Sequence, residues 1–190
     1  MRVDSLKACQ PLSSDTVFLS FVDSVQNNSI FAALLKYYIK LSITDSLTGA
    51  YNKRYLFQHL SDDISNCYVC MIDVDDFKSI NDTIGHVDSD YILVDICNII
   101  RSEMSVNDVL IRFGGDEFIV LYSANNIKAA KHMLCNVQFK ISEKYRNSNV
   151  HPKISYGIAK HIKSLQILDT IRTADLLMYS SRCKKENTPK

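Results

Sequence analysis

Arg112-Phe113-Gly114-Gly115-Asp116-Glu117-Phe118 lies between two apolar runs, Val109-Leu110-Ile111 before it and Phe118-Ile119-Val120-Leu121-Tyr122 after it. The pattern predicts two strands joined by a tight hairpin, with adjacent glycines supplying the positive φ that such turns demand. Asp116 and Glu117 then project from the rim of a sheet, beside a turn whose lack of side chains leaves room for a ligand. Two readings of Gly-Gly-Asp-Glu are open at this point: a metal site built on two carboxylates, or a solubilising turn.

The rest of the chain narrows the choice. Its 190 residues are enough for one domain with a buried core and an appendage. A hydrophobic fraction of 46% and a charged fraction of 23% are those of a globular protein in water. A net charge of +1 argues against nucleic acid or an anionic membrane as partner. The longest apolar stretch, Ile30 to Leu41, is broken by Lys36 and Lys40, well short of the ~20 apolar residues of a membrane helix. Met1-Arg2-Val3-Asp4 opens no signal-peptide core, so the expected location is cytoplasmic. Six cysteines fit reduced thiols there; Cys67 and Cys70, three apart in a strand, face opposite sides of a sheet and read as core. Only five glycines occur, against the ~13 of average usage, and each falls in or beside a motif.

Residues 1–42 are expected to form a helical segment serving regulation or dimerisation. One helix is capped near Ser13-Ser14-Asp15 and runs through Val25; a second carries Ile30, Phe31, Leu34, Leu35, Tyr38 and Leu41 on one face. That stripe is expected to pack on the main domain or on a second copy of the chain. Residues 43–190 then read as a turn at 45–52, a helix at 53–64, a buried strand at 68–74, and helices at 76–84 and 88–104. The hairpin follows, then a helix at 127–145, a strand at 153–161 and a closing helix at 167–184. Such an order belongs to an α+β fold, a mostly antiparallel sheet covered by helices, with an N-terminal helical appendage.

The junction Asp73-Val74-Asp75-Asp76 ends the first core strand and opens a helix. The first amides of a helix have no internal partner, and the positive end of its dipole favours phosphate. Asp73 at the strand end is suited to Mg²⁺ shared with that phosphate, because magnesium takes one or two carboxylates plus phosphate oxygens and water. Asp75 and Asp76 read more simply as helix caps. If Asp73 lies beside the strand bearing Asp116 and Glu117, three carboxylates meet, an arrangement suited to metals bridging a nucleotide's phosphates.

These blocks together resemble the GGDEF-domain diguanylate cyclases. The matching residues are Asp45-x-Leu47-Thr48-Gly49-x-x-Asn52-x-Arg54, Asp73-x-Asp75-x-Phe77-Lys78-x-x-Asn81-Asp82-x-x-Gly85-His86-x-x-x-Asp90-x-x-Leu93, the hairpin stretch, Ser155-x-Gly157-Ile158-Ala159, and Ala174-Asp175-x-x-Met178-Tyr179. The resemblance implies the palm-like, adenylyl cyclase or ferredoxin-like fold, and condensation of two GTP into cyclic di-GMP with release of pyrophosphate. It implies Mg²⁺ or Mn²⁺ held by Asp73, Asp116, Glu117 and the Val74 carbonyl. Glu117 would also serve the attacking hydroxyl. Guanine would be read by Asn81 and Asp90, and phosphate held by Phe77, Lys78 and Arg182. The two-fold symmetric product implies a homodimer, one GTP per chain.

The chain departs from the family pattern in ways that carry expectations. Ser89 stands where a glycine is usual before Asp90, a change expected to perturb little. Ser105 occupies the arginine position of the inhibitory product site beside Asp108, so no such site is expected. Arg182 replaces a lysine and keeps its charge. Glu186 replaces an arginine and is expected to weaken GTP binding unless Lys184 or Lys185 compensates. A non-catalytic nucleotide- or product-sensing module is therefore the alternative.

Overall fold

The computed structural model describes residues 29–59, 67–123 and 126–186, with the side chains of 29, 59 and 184–186 left aside. The helix expected near residues 13–25 lies outside the described residues. By internal contacts the chain divides into residues 1–42 and 43–190. In the first unit, α1 (Ser29–Ile43) carries exposed Ile30, Leu34, Tyr38 and Leu41, and Tyr37 meets Tyr38 edge to face at 5.8 Å.

The second unit is built on a five-stranded sheet. Its elements are β1 (Tyr51–Asn52), α2 (Lys53–His59), β2 (Cys67–Val74), α3 (Phe77–Ile84), α4 (His86–Ser102), β3 (Val109–Arg112), β4 (Glu117–Tyr122), α5 (Ile127–Lys144), β5 (Ile154–His161) and α6 (Ile167–Glu186). The strand order is β1-β3-β4-β2-β5, and every pairing but β1 with β3 is antiparallel. This is the expected α+β architecture with one addition. Tyr51 and Asn52, expected to be part of a turn, form a short strand because they pair with Ile111 and Arg112. Two residues have no periodicity to read.

The alternation of β2 decides what covers each face. Tyr68, Cys70, Ile72 and Val74 turn to one side, where they pack with Ile80, with Ile92, Ile96 and Ile100 of α4, and with Met133, Leu134, Val137 and Ile141 of α5. Cys67, Val69 and Met71 turn to the other, against Leu56 of α2 and Ile167, Ile171, Ala174 and Met178 of α6. Cys67 and Cys70 thus fall in different clusters, as their spacing requires. Ile72, Phe118 and Ile154 are completely or almost completely buried, so truncating one to alanine would cost about 2–5 kcal/mol.

One glycine sets the depth of α6. A Cβ on Gly157 would overlap Ala174 O and Met178 N, and would stand 3.0 Å from Met178 Cα. The bare backbone at Gly157 lets α6 lie directly on β5. The following turn of α6 is thereby brought over the end of β2.

Candidate active site

Asp73 sits at the penultimate position of β2, paired with Glu117 of β4 on one side and Ser155 of β5 on the other. Directly paired residues share a face, so these three form one row across the sheet, on the side covered by α6. Val74 N donates to Asp116 O at 3.2 Å, which ties the loop before β4 to the end of β2. The acids expected to meet are therefore neighbours. Among the described residues, however, no three Asp, Glu, His or Cys side chains are already closed around a point that could hold a cation.

Arg182, one helical turn beyond Met178, reaches into this corner. Its Nη1 donates to Asp73 Oδ1 at 2.7 Å, and its guanidinium lies 3.8 Å from Asp75 Oδ1 and 3.6 Å from Asp76 Oδ1. The residue expected at the phosphate lies among three carboxylates. Burial pushes the Asp73 carboxyl up to about 6, repulsion from Asp116, Asp75 and Glu117 adds to the shift, and Arg182 opposes it. The Glu117 carboxyl is also raised, by burial first and then by Asp116 and Asp175, against the pull of Lys53. Asp75 Oδ1 is buried without a hydrogen-bond partner. Crowded hard oxygens with surplus negative charge fit a small divalent cation, and two carboxylates are enough for magnesium when phosphate and water complete the shell.

The loop Phe113–Asp116 differs from its expected geometry. Neither Gly114 nor Gly115 has positive φ. The connection is longer than a two-residue turn, closed by Phe113 N donating to Glu117 O at 2.8 Å, so the constraint that demands left-handed backbone is absent. Gly114 matters for another reason: a Cβ there would overlap Glu117 Oε2, because the carboxylate folds back over the loop. Arg112 fixes the loop from behind. Its Nε and Nη2 donate to Gly115 O at 3.0 and 2.6 Å, while Nη1 donates to Asp45 Oδ1 at 3.0 Å. Asp45 Oδ1 also accepts from Thr48 N at 2.8 Å and Thr48 Oγ1 at 2.7 Å. Burial works against the Asp45 charge, but the bonds from Thr48 and Arg112 outweigh it and hold the carboxyl below its ordinary range.

At the β2–α3 junction, Asp76 occupies the N-cap position with φ 54° and ψ 33°, and its side chain caps nothing. The expected carboxylate cap is corrected: left-handed backbone at Asp76 turns the chain, and its carboxylate is drawn toward Arg182 instead. Phe77 and Lys78 then begin α3, with Lys78 exposed and Phe77 half-buried against the core. Asn81 lies on α3, and Asp90 is exposed in the first turns of α4, across the corner at Gly85. Ser89 is completely buried, and its hydroxyl contacts the Asn81 side-chain oxygen, so it is more than a neutral replacement.

Beside Ser105, where no inhibitory product site is expected, both carboxylate oxygens of Asp108 are engaged. Oδ2 accepts from Ser105 N at 2.7 Å and Ser105 Oγ at 2.9 Å, and Oδ1 accepts from Ser123 N at 2.7 Å. The sequence reading gave no part to Lys53, whose ammonium lies 4.2 Å from the Phe113 ring centroid and whose charge acts on Glu117. It gave none to the Arg112–Asp45 link either. Their signal was present only as unexplained charges inside otherwise matching blocks.

The family model described as diguanylate cyclase, GGDEF domain, matches residues 42–188. Diguanylate cyclase DgcP of Escherichia coli is 31% identical over 162 residues, which cover 80% of this chain and 48% of that protein. Diguanylate cyclase A of Treponema denticola is 29% identical over 163 residues, 78% of this chain and 44% of that one. The chain thus spans about half the length of these curated relatives or less. Among solved structures, the coiled coil and GGDEF domain of DgcB from Caulobacter crescentus, in complex with c-di-GMP, superimposes with a TM-score of 0.74 at 19% identity. That match covers 88% of this chain and 95% of DgcB's. The GGDEF domain of TpbB (YfiN) from Pseudomonas aeruginosa gives 0.64 at 29% identity, over 74% of this chain and 89% of that one. No helix among the described residues is long and apolar enough to cross a membrane. By the extent of the family match and the fold that carries it, this chain belongs to the GGDEF-domain diguanylate cyclase family.

Proposed function

We propose that the chain condenses two GTP molecules into cyclic di-GMP at a site shared by two copies in a homodimer. The observation that carries this reading is the row Glu117–Asp73, with Asp116 tied to it through Val74 and Arg182 above. Mg²⁺ or Mn²⁺, held by Asp73, Asp116, Glu117 and the Val74 carbonyl, would supply neutralising charge at the reacting phosphate. The amides of Phe77 and Lys78, the Lys78 ammonium and Arg182 hold the triphosphate. Asn81 and Asp90 read guanine, the Asp90 carboxylate accepting from its N1–H and N2–H₂.

Glu117 acts on the attacking 3′-hydroxyl. Its carboxyl is raised above its ordinary range, which makes it a better proton acceptor than a free glutamate, since basicity rises with pKa. The 3′-oxygen of one GTP forms a bond to the α-phosphorus of the other, the bond to the β-phosphate bridging oxygen breaks, and pyrophosphate leaves. The same exchange in the opposite direction closes the ring. Asp108, with Oδ2 bound by Ser105 and Oδ1 by Ser123 N, and with no arginine at position 105, supports the expectation of no second product site.

A second reading has its own support. Glu186 stands at a position that favours a cation beside triphosphate, and Arg182 already holds Asp73. On that reading the domain binds nucleotide or product and controls a partner. Incubating the purified chain with GTP and Mg²⁺ or Mn²⁺, over a range of protein concentrations, separates the two. Cyclic di-GMP formed at a rate per chain that climbs with concentration is the expected result. GTP binding by calorimetry with no product identifies the sensing module, and no binding at all rejects both.

A further inference from the structure

Ser89 lies in the first turns of α4, fully buried, with its hydroxyl in hydrogen-bond contact with Asn81 Oδ1 and 2.9 Å from His86 O. A hydroxyl has one proton to give. His86 O, at the start of α4, receives a backbone donor from the helix ladder four residues on, whereas Asn81 Oδ1 has no such supply. Asn81 Oδ1 therefore takes the proton.

An asparagine amide that rotates by half a turn exchanges acceptor for donor at the same place. With Oδ1 committed to Ser89, Nδ2 is the end of Asn81 left for a ligand. Asp90, next to Ser89 on α4, presents a carboxylate. One donor beside one acceptor complements guanine, which offers O6 and N7 as acceptors and N1–H and N2–H₂ as donors. Adenine reverses the donor and acceptor at the positions that matter. Gly85, with φ 84°, makes the corner between α3 and α4, and Ser89 is the side chain that bolts the two helices together beyond it.

We propose that Ser89 is a positioning residue for base selection: it fixes the Asn81 amide donor-outward and so sharpens preference for guanine over adenine nucleotides. This rests on the reading of Asn81 and Asp90 as the base-reading pair. The test is calorimetric titration of the full chain with Mg²⁺ and 3′-deoxy-GTP or 3′-deoxy-ATP, which lack the attacking hydroxyl and cannot turn over. Ser89→Ala is expected to weaken 3′-deoxy-GTP about 3- to 10-fold, the range of one lost neutral hydrogen bond, and to leave 3′-deoxy-ATP unchanged. In an Asn81→Ala background the same substitution is expected to have no further effect on either nucleotide.

Equal weakening of both nucleotides would make Ser89 merely structural and overturn the inference. Unchanged 3′-deoxy-GTP binding in Ser89→Ala would overturn it as well, while leaving the guanine reading intact. Failure of the unsubstituted chain to prefer 3′-deoxy-GTP would remove the guanine reading itself, and this inference with it.

Discussion

Arg182 Nη1 lies 2.7 Å from Asp73 Oδ1, a contact made across 109 residues of sequence. The guanidinium answers a cluster in which Asp116, Asp75 and Glu117 repel the Asp73 charge, and Asp76 adds a further carboxylate 3.6 Å from it. Removing one partner of a part-buried pair costs more than the pair contributes, because the remaining charges are left uncompensated. Arg182→Ala should therefore lower stability by about 1–2 kcal/mol at neutral pH and low salt. Mg²⁺ should raise the Tm of this variant more than that of the unsubstituted chain, since the ion replaces the missing charge. Thermal melts with and without Mg²⁺ check it; equal Mg²⁺ shifts in both proteins would contradict this account.

Asp73 itself has a pH signature. Its folded carboxyl titrates at about 6 against 3.8 for the free side chain, so the fold binds more protons than the unfolded chain between those values. The stability it contributes is complete below 3.8 and is lost as pH rises through 6. Asp73→Asn removes the repelled charge and should stabilise the metal-free protein at pH 7.5 by on the order of 1 kcal/mol, after allowance for solvent screening. At pH 4.5, inside the window between 3.8 and 6, the gain should fall to about a third of that, and no cyclic di-GMP should form at either pH. Denaturant melts at the two pH values give the comparison. A gain of equal size at both would show that repulsion is not its source.

Much of this site could be read without coordinates, and the reasons differ by residue. Residues 67–74 and 117–122 could be recognised as strands, each with an acid at or near one end, because apolar runs of that length leave little alternative. That they lie side by side, pairing Asp73 with Glu117, stood only as a condition. Tyr51–Asn52 could not be read as a strand, because only the exposed edge of β3 makes it one. The loop glycines suggested left-handed backbone that a longer loop does not need, while among the described non-glycine residues it is Asp76 that adopts it. Arg182 over Asp73 was out of reach, since it depends on how deeply α6 settles on Gly157. The contact between Ser89 and Asn81 depends likewise on the angle of the Gly85 corner.

The seating of α6 can be tested by one methyl group. In Gly157→Ala the new Cβ meets backbone atoms, Ala174 O and Met178 N, which cannot rotate away. The helix must lift, at a cost of about 1–3 kcal/mol, and Arg182 is carried off Asp73 with it. Gly115→Ala is the matched control, because nothing lies within 4 Å of its added Cβ and its φ is not positive. Urea unfolding should show the first variant clearly weakened and the second within about 0.5 kcal/mol of the unsubstituted chain. Equal stability of the two would mean that α6 does not sit where Gly157 allows.

Gly114→Ala should separate activity from stability in the opposite sense. Its Cβ would strike Glu117 Oε2, the far end of a flexible side chain that can swing aside without moving backbone. The expected loss of stability is under about 1 kcal/mol, the scale of a rotamer change. The carboxylate, however, can no longer fold over the loop next to Asp116. A misplacement of about 1 Å in a group acting on the attacking hydroxyl is enough to lower turnover by ~10²-fold. The variant should therefore melt almost normally, bind 3′-deoxy-GTP nearly as well as the unsubstituted chain, and form cyclic di-GMP far more slowly. If turnover is retained, the folded-back position of Glu117 is not the one that serves the reaction, and its role in taking the proton must pass to another group.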